Sequence, residues 1–264
     1  MPIKVVVSGT GKMGRQTLAA VCAEPDLKPV GVLSRLAAEE YLPLPDGSDL
    51  VPFGADPAGL FTRTRPDVVV DFTNADHTPS VAREALEAGA RLVIGTSDLS
   101  EAFLNELDRE CRERKLGAVV ASNFALGAVV MAHLSKVAAR FFDHAEIIEM
   151  HHESKVDSPS GTALATARGM AEGREERFHR PPTQRETLEG TRGGAVDGVT
   201  IHSVRLPGLV AHQEVIFGGL GETLTIRHDS NSREAFMPGV ILAIKDVMER
   251  QDVVHGLERL IGLE

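Results

Sequence analysis

The first fourteen residues constrain this chain more than any other stretch. Ile3–Ser8 is an unbroken apolar run of strand type, Gly9-Thr10-Gly11-Lys12-Met13-Gly14 follows with no spacer, and a helical pattern then continues to about Glu24. Strand, glycine turn and helix in that order make the opening of a dinucleotide-binding unit. The first two glycines permit a tight turn and a close backbone approach, and Gly14 lets the helix pack on the strand. N–H groups left over at the helix start favour a pyrophosphate. Residues 29–33 supply a second strand one helix-length later.

The βα alternation continues with strands over about 67–73, 91–96 and 118–122 and helices over about 79–88 and 100–115. Val68-Val69-Val70 and Leu92-Val93-Ile94 are the unbroken runs of parallel strands buried on both faces. The stretch 35–64, rich in Pro, Gly and Asp, reads as loop with at most a short element. Ligands of open α/β sheets bind at the carboxyl ends of the strands. Three polar strings fall there and are expected to line one crevice: Asp71-Phe72-Thr73, Gly95-Thr96-Ser97 and Ala121-Ser122-Asn123-Phe124. Where such units usually carry an acid for the ribose 2′-OH, this chain has Ser34-Arg35. A hydroxyl with a guanidinium suits a 2′-phosphate, and Lys12 adds a second cation, so NADPH is at least accepted.

After Asn123 the pattern changes. A helix over 126–142 leads to a strand over 145–151, then to an Ala-rich helix over 162–172 capped by Ser160 and a charged stretch over 173–194. Strand-like runs at Val199–Arg205, 214–217 and 223–228 are separated by Pro207-Gly208 and Gly218-Gly219, a spacing of antiparallel neighbours. An amphipathic helix over 233–250 is placed to return to the first domain. The predicted fold is α/β: a Rossmann-type dinucleotide-binding domain (1–122 plus 233–264), then an α+β domain of mixed sheet (123–232).

The chemistry concentrates in residues 149–162, Glu-Met-His-His-Glu-Ser-Lys-Val-Asp-Ser-Pro-Ser-Gly-Thr. Two imidazoles, an ammonium and a helix start lie together there, which suits holding an anion and giving it a proton. The strand delivers His151 and His152 to opposite sides of its end, and Lys155 sits in the turn, able to fold back towards them. Glu149 reads as structural and Glu153 as a solvated turn residue. His133, His144, His179 and His255 read as surface or packing residues; His202, His212 and His228, on strands, suit a sheet interface between subunits.

Bulk properties narrow the partners. A net charge of −10 with no basic tract argues against nucleic acid. No apolar run approaches the roughly 20 residues of a membrane span, so a cytoplasmic protein is expected. Cys22 and Cys111, far apart and without ligand spacing, read as structural thiols, with neither a disulfide nor zinc expected.

The string from Met150 to Leu164 resembles the signature of the 4-hydroxy-tetrahydrodipicolinate reductase (dihydrodipicolinate reductase) family, and the likeness extends through 9–14, 71–73, 95–97, 122–124, 203–217 and 226–233. The resemblance implies NAD(P)H-dependent reduction of a small cyclic dicarboxylate to tetrahydrodipicolinate, in the diaminopimelate route to lysine. It further implies that His151 is the proton donor or acceptor and Lys155 a proton donor, with His152, Lys155, Gly161 and Thr162 on the substrate. NADPH or NADH would lie against Gly9, Thr10, Gly11, Lys12, Met13 and Gly14, then Phe72 and Thr73, Gly95, Thr96 and Ser97, and Ala121, Ser122, Asn123 and Phe124, with Ser34 and Arg35 at the adenosine ribose. It also implies a homotetramer joined through the second domain's sheets.

Two rivals share parts of this pattern. Another two-domain dehydrogenase, such as one acting on a semialdehyde by acyl transfer, needs a nucleophilic cysteine in a site-like setting, which Cys111 in a charged helix does not offer. A cofactor-sensing module without turnover would not require His151, Lys155 and Ser160-Gly161-Thr162 together. The Arg35 reading is directly testable: Arg35→Ala should raise the KM for NADPH about tenfold relative to that for NADH, the loss of one charge-assisted contact. An unchanged ratio in steady-state assays with both cofactors would rule it out.

Overall fold

The structure is a computed structural model and describes residues 1–263. The chain forms two compact units, one of Met1–Phe124 with Phe236–Gly262, the other of Ala125–Ala235. Glu264, assigned above to the first domain, lies outside the described residues.

The first unit begins with β1 (Ile3–Ser8), α1 (Lys12–Ala23), β2 (Leu27–Leu33), β3 (Tyr41–Pro43), β4 (Leu50–Gly54) and α2 (Pro57–Thr64). It continues with β5 (Val68–Asp71), α3 (Thr78–Glu87), β6 (Arg91–Ile94), α4 (Glu101–Arg114) and β7 (Ala118–Val120). The second unit comprises α5 (Leu126–Ala138), β8 (His144–His151), α6 (Gly161–Glu172), β9 (Gly194–Val196), β10 (Val199–Arg205), β11 (Ala211–Gly219) and β12 (Glu222–Ser230). The chain then returns to the first unit with α7 (Met237–Asp246) and β13 (Val253–His255).

In the first unit the strands form one eight-stranded sheet in the order β13-β7-β6-β5-β1-β2-β4-β3, parallel except at the β3–β4 edge. Val5, Val6, Val7, Val68, Val69 and Val70 are wholly buried, because central strands of a doubly covered sheet have no solvent face. The α/β class is therefore as read from the sequence. The supposed loop 35–64 is a correction: it holds β3, β4 and α2. Asp56 caps α2 through the Gly59 N–H, Pro57 opens it, and Leu60 and Phe61 are buried, so a short helix with its own cap stands beside two strands where the composition suggested at most one short element. The last helix is shorter than 233–250, with a 3-10 turn before and after α7, and β13 was not anticipated.

The second unit's five-stranded sheet runs β12-β11-β8-β10-β9. β10 does not pair with β11, contrary to the antiparallel expectation. β8 lies between them, parallel to β10 and antiparallel to β11. The crossover through α6 returns the chain to run beside β8 in the same sense, and the 206–210 link then passes over the end of β8, where the Leu206 N–H bonds the His151 carbonyl at 3.1 Å. Ala145, Ile147 and Glu149 face a core shared with Met131, Ala163, Ala167 and Met170 of α5 and α6. The helix expected over 126–142 ends at Ala138.

Two glycines of the first turn behave differently. A Cβ on Gly14 would overlap the Gly9 carbonyl oxygen, whereas a Cβ on Gly11 meets nothing within 4 Å. Gly14→Ala should therefore lower the melting temperature by several degrees, an overpacking loss of about 1–3 kcal/mol, while Gly11→Ala melts within about a degree of the parent. Equal melting curves for the two would show that the turn tolerates a side chain at its packing point.

Candidate functional site

In the first unit the glycine turn is held open for a ligand. Gly9 sits at φ +107°, a conformation few residues other than glycine adopt, and a Cβ there would press on the Phe72 carbonyl at 2.8 Å. Gly11 is the N-cap of α1 and supplies no side-chain cap, so the first N–H groups of the helix are left for another acceptor. Together with the open space over Gly11, this fits a dinucleotide phosphate; Lys12 is exposed beside it, Met13 half-buried and Gly14 buried. Ser34, 7% exposed, shares a 3.0 Å hydrogen bond with Thr10 and accepts the Leu36 N–H. Arg35 is exposed and lines the same recess as Gly9, Thr10, Gly11, Phe72 and Thr73.

Asp71 gathers the strings at the strand ends. Its wholly buried carboxylate accepts from the hydroxyls of Thr73 at 2.9 Å, Thr96 at 3.2 Å, and Thr78. The Thr96 oxygen in turn accepts the Thr73 N–H at 3.2 Å. A Cβ on Gly95 would run into the Phe72 ring, and that ring meets Phe124 edge-on with centroids 5.5 Å apart. α7 fixes the third string from behind, since a Cβ on Gly239 would overlap the Phe124 carbonyl. Ala121 is buried, Asn123 half-buried, and Ser97 and Ser122 are exposed. Asn74 and His77, which the sequence reading passed over, also line the recess. The mark of Asp71 as the anchor was visible in principle, an acid directly after three valines.

In the second unit the end of β8 carries the chemistry. Glu149 and His151 alternate onto one side of the strand, and Glu149 is wholly buried. Its carboxylate accepts from His151 Nδ1 at 2.6 Å, from the Ser160 N–H at 3.2 Å, and from both terminal nitrogens of Arg205 at 2.9 and 2.7 Å. Burial alone would raise the Glu149 pKa, but hydrogen bonds from His151, Arg205 and Ser203 and the Arg205 charge outweigh it and hold the carboxyl at about 2. The group is thus a carboxylate. Arg205 also bonds the Asp157 and Val204 carbonyls.

The turn after β8 differs from expectation at Lys155. Its ammonium does not fold back onto an imidazole; it pairs with Asp157 at 2.6 Å. Asp157 is held below the usual carboxylate range chiefly by that bond, with the Gly161 N–H contributing and slight burial opposing. One carboxylate therefore pairs with the ammonium and is also favoured by the start of α6. Ser160 caps the helix through the Ala163 N–H at 3.1 Å, Gly161 has open space where a Cβ would stand, and Thr162 is half-buried. His152, just past the strand, pairs its Nδ1 with Ser154 at 2.9 Å. Sequence reasoning treated Glu149 as merely structural and did not single out Arg205; the spacing Glu-x-His on one strand was the available signal.

The remaining groups take other roles. Burial pushes the Cys111 thiol up to about 12, so it is no nucleophile at neutral pH, which argues against the acyl-transfer rival. His202 pairs with Glu146 at 2.8 Å and His212 with Asp229 at 2.7 Å.

Comparison with known proteins shows the family. The family profile described as "Dihydrodipicolinate reductase, N-terminus" matches residues 3–124, and "Dihydrodipicolinate reductase, C-terminus" matches 127–261. The 4-hydroxy-tetrahydrodipicolinate reductase of Dehalococcoides mccartyi is 49% identical over 263 residues, 99% of each chain. That of Moorella thermoacetica is 48% identical over 264 residues, 98% of each. Among solved structures, a dipicolinate-bound dihydrodipicolinate reductase from Paenisporosarcina sp. TG-14 superposes with a TM-score of 0.87 at 40% identity, covering 98% of this chain and 99% of the other. The chain belongs to the dihydrodipicolinate reductase family, NAD(P)H-dependent oxidoreductases that carry out the 4-hydroxy-tetrahydrodipicolinate reductase step of lysine biosynthesis.

Proposed function

We propose that the segment from Glu149 to Thr162 binds the cyclic dicarboxylate and protonates it during reduction to tetrahydrodipicolinate. The observation that carries this reading is the counter-ion of the turn: Asp157 pairs with the Lys155 ammonium at 2.6 Å and is favoured by the Gly161 N–H at the start of α6, the donors a substrate carboxylate would take over. The dipicolinate held by the Paenisporosarcina relative supports a dicarboxylate ring as the ligand class. Lys155 offers about 4 kcal/mol of gross attraction to a carboxylate at 4 Å in an effective dielectric of about 20, before desolvation is subtracted. The start of α6, at Gly161 and Thr162, adds roughly 0.3–1 kcal/mol through the helix dipole. His152 holds a second oxygen.

NAD(P)H supplies the hydride when bound. On this reading Gly9, Thr10, Gly11, Lys12, Met13 and Gly14 hold its pyrophosphate side, Ser34 and Arg35 its adenosine ribose. Phe72, Thr73, Gly95, Thr96, Ser97, Ala121, Ser122, Asn123 and Phe124 form the wall ordered by Asp71. His151 and Lys155 are the proton donors, one proton from this pair and one hydride saturating one C=C bond, while the Lys155 ammonium neutralises the carboxylate.

A homotetramer is part of the proposal. Alternation puts Ile148, Met150, Val204 and Ile216 on the sheet face opposite α6, all half-buried, among ion pairs such as Glu146–Arg192 and Arg227–Glu214. An apolar strip with paired charges at its sides suits a self-complementary interface. We also place the protein in the cytoplasm; no helix among the described residues is long and apolar enough to cross a membrane.

Coupling the protein to a dihydrodipicolinate synthase reaction and following nicotinamide absorbance tests the activity directly, since only a reductase oxidises the cofactor in step with substrate. In that assay Lys155→Ala should lose about 10²-fold or more in kcat, whereas His152→Ala chiefly raises KM. Equal, small effects would defeat the assignment of roles. In calorimetric titrations with dipicolinate, Asp157→Asn should bind more tightly than the parent by about tenfold, because the ligand no longer displaces an internal carboxylate. Weaker binding would make Asp157 a ligand-positioning group instead of a competitor.

A further inference from the structure

We infer that Glu149 and Arg205 form a positioning couple that dictates which nitrogen of His151 exchanges its proton and ties the start of α6 to the same point. This rests on the proposed role of His151, and the geometry extends it to two residues outside the ligand-contacting set. Glu149 and His151 stand two apart on β8, hence on one face, and Arg205 occupies the position beside His151 on the parallel strand β10. The planar guanidinium can therefore meet the Glu149 carboxylate with two parallel N–H bonds, at 2.7 and 2.9 Å.

Each carboxylate oxygen takes one N–H from Arg205 and one further backbone or ring donor. Oε2 accepts from His151 Nδ1 at 2.6 Å, and Oε1 from the Ser160 N–H at 3.2 Å. A carboxylate has no proton to donate, so the short contact requires that Nδ1 carry the hydrogen. The neutral ring then has its lone pair on Nε2, and the cationic ring has its exchangeable proton there, so in both states the transfer happens at Nε2. Without the guanidinium, a fully buried carboxylate against a cationic imidazole would gain by taking the Nδ1 proton, leaving a neutral ring with its hydrogen on Nε2. Arg205 prevents that by satisfying both oxygens with charge. The Ser160 bond makes the same carboxylate the anchor of the helix cap, so the proposed proton donor and the proposed anion-binding helix start share one fixed reference, and Arg205 adds the turn between them through the Asp157 carbonyl at 2.8 Å.

A merely structural buried ion pair would lose stability on substitution but leave the ring tautomer and the ratio of kcat to KM alone. The isosteric Glu149→Gln keeps an oxygen for Ser160 and removes the charge. In the full-length protein, kcat should fall about 10²–10⁴-fold while KM stays within about threefold, the pattern of a misassigned tautomer. The second readout needs no turnover: with 15N-labelled histidine, the His151 ring, assigned by its loss in His151→Asn, should show the Nδ1–H form in the parent and shift from it in Glu149→Gln. Parent protein with the hydrogen on Nε2, or folded Glu149→Gln with unchanged kcat and tautomer, overturns the inference. Full activity of His151→Asn would instead remove the proton-transfer role, and the tautomer measurement would still decide the couple. Should Glu149→Gln fail to fold, the parent spectrum together with kcat and tautomer in Glu149→Asp decides the same question.

Discussion

The second unit depends on keeping one carboxylate charged where no water reaches it. Burying an ion unpaired costs several kcal/mol, and the fold meets that cost at Glu149 with a bidentate guanidinium, an imidazole and a helix-start N–H. Because these donors favour the ionised form more than burial opposes it, the Glu149 pKa falls to about 2 in the folded chain. A depressed carboxylate stabilises the fold above its ordinary value, and that contribution is lost as the pH falls from there towards about 2. Through neutral conditions the clamp is therefore at full strength. The end of β8, the end of β10 and the cap of α6 are held together by charge as well as by packing.

The first unit uses the same device in a neutral version. Asp71, also wholly buried, collects three threonine hydroxyls from β5's own end, from α3 and from the string after β6. These hydroxyls order the wall of a recess. Hydroxyl donors fix the backbone at Thr73 and Thr96, while Lys12 and Arg35, two cations at the glycine turn and after β2, stay exposed. The two carboxylates differ in their donors: hydroxyls order the strand ends around Asp71, and a guanidinium with an imidazole holds Glu149 ionised and fixes the ring of His151.

How much was legible in the sequence follows from the range of each interaction. The glycine turn could be read because its physics is local: Gly9 needs its positive φ and Gly14 its missing Cβ within a dozen residues. The Val runs of β1 and β5 and the Ser160 cap were legible for the same reason. The stretch 35–64 was misread because turn residues outweighed the few buried side chains of β4 and α2. The placing of β10 beside β8 was missed because Pro207-Gly208 looks like a hairpin turn whichever strand the link spans. Lys155 was read as free to reach the imidazoles, yet its ammonium pairs with an acid two residues on.

The amino-acid order alone determined the class of fold, the position of the dinucleotide turn, and the fourteen-residue segment in which the imidazoles, the ammonium and the helix start lie, since all of these are set by spacing along the chain. Only the tertiary structure decided that Glu149 is sealed from solvent and that Arg205, fifty-six residues away in sequence, is its partner. Strand alternation limits Glu149 to one of two faces, but which face is covered, and by which neighbouring strand, is settled when α6 and β10 close over β8. Burial then turns an ordinary glutamate into an obligatory anion, because a charge without water must take whatever donors the fold brings to it.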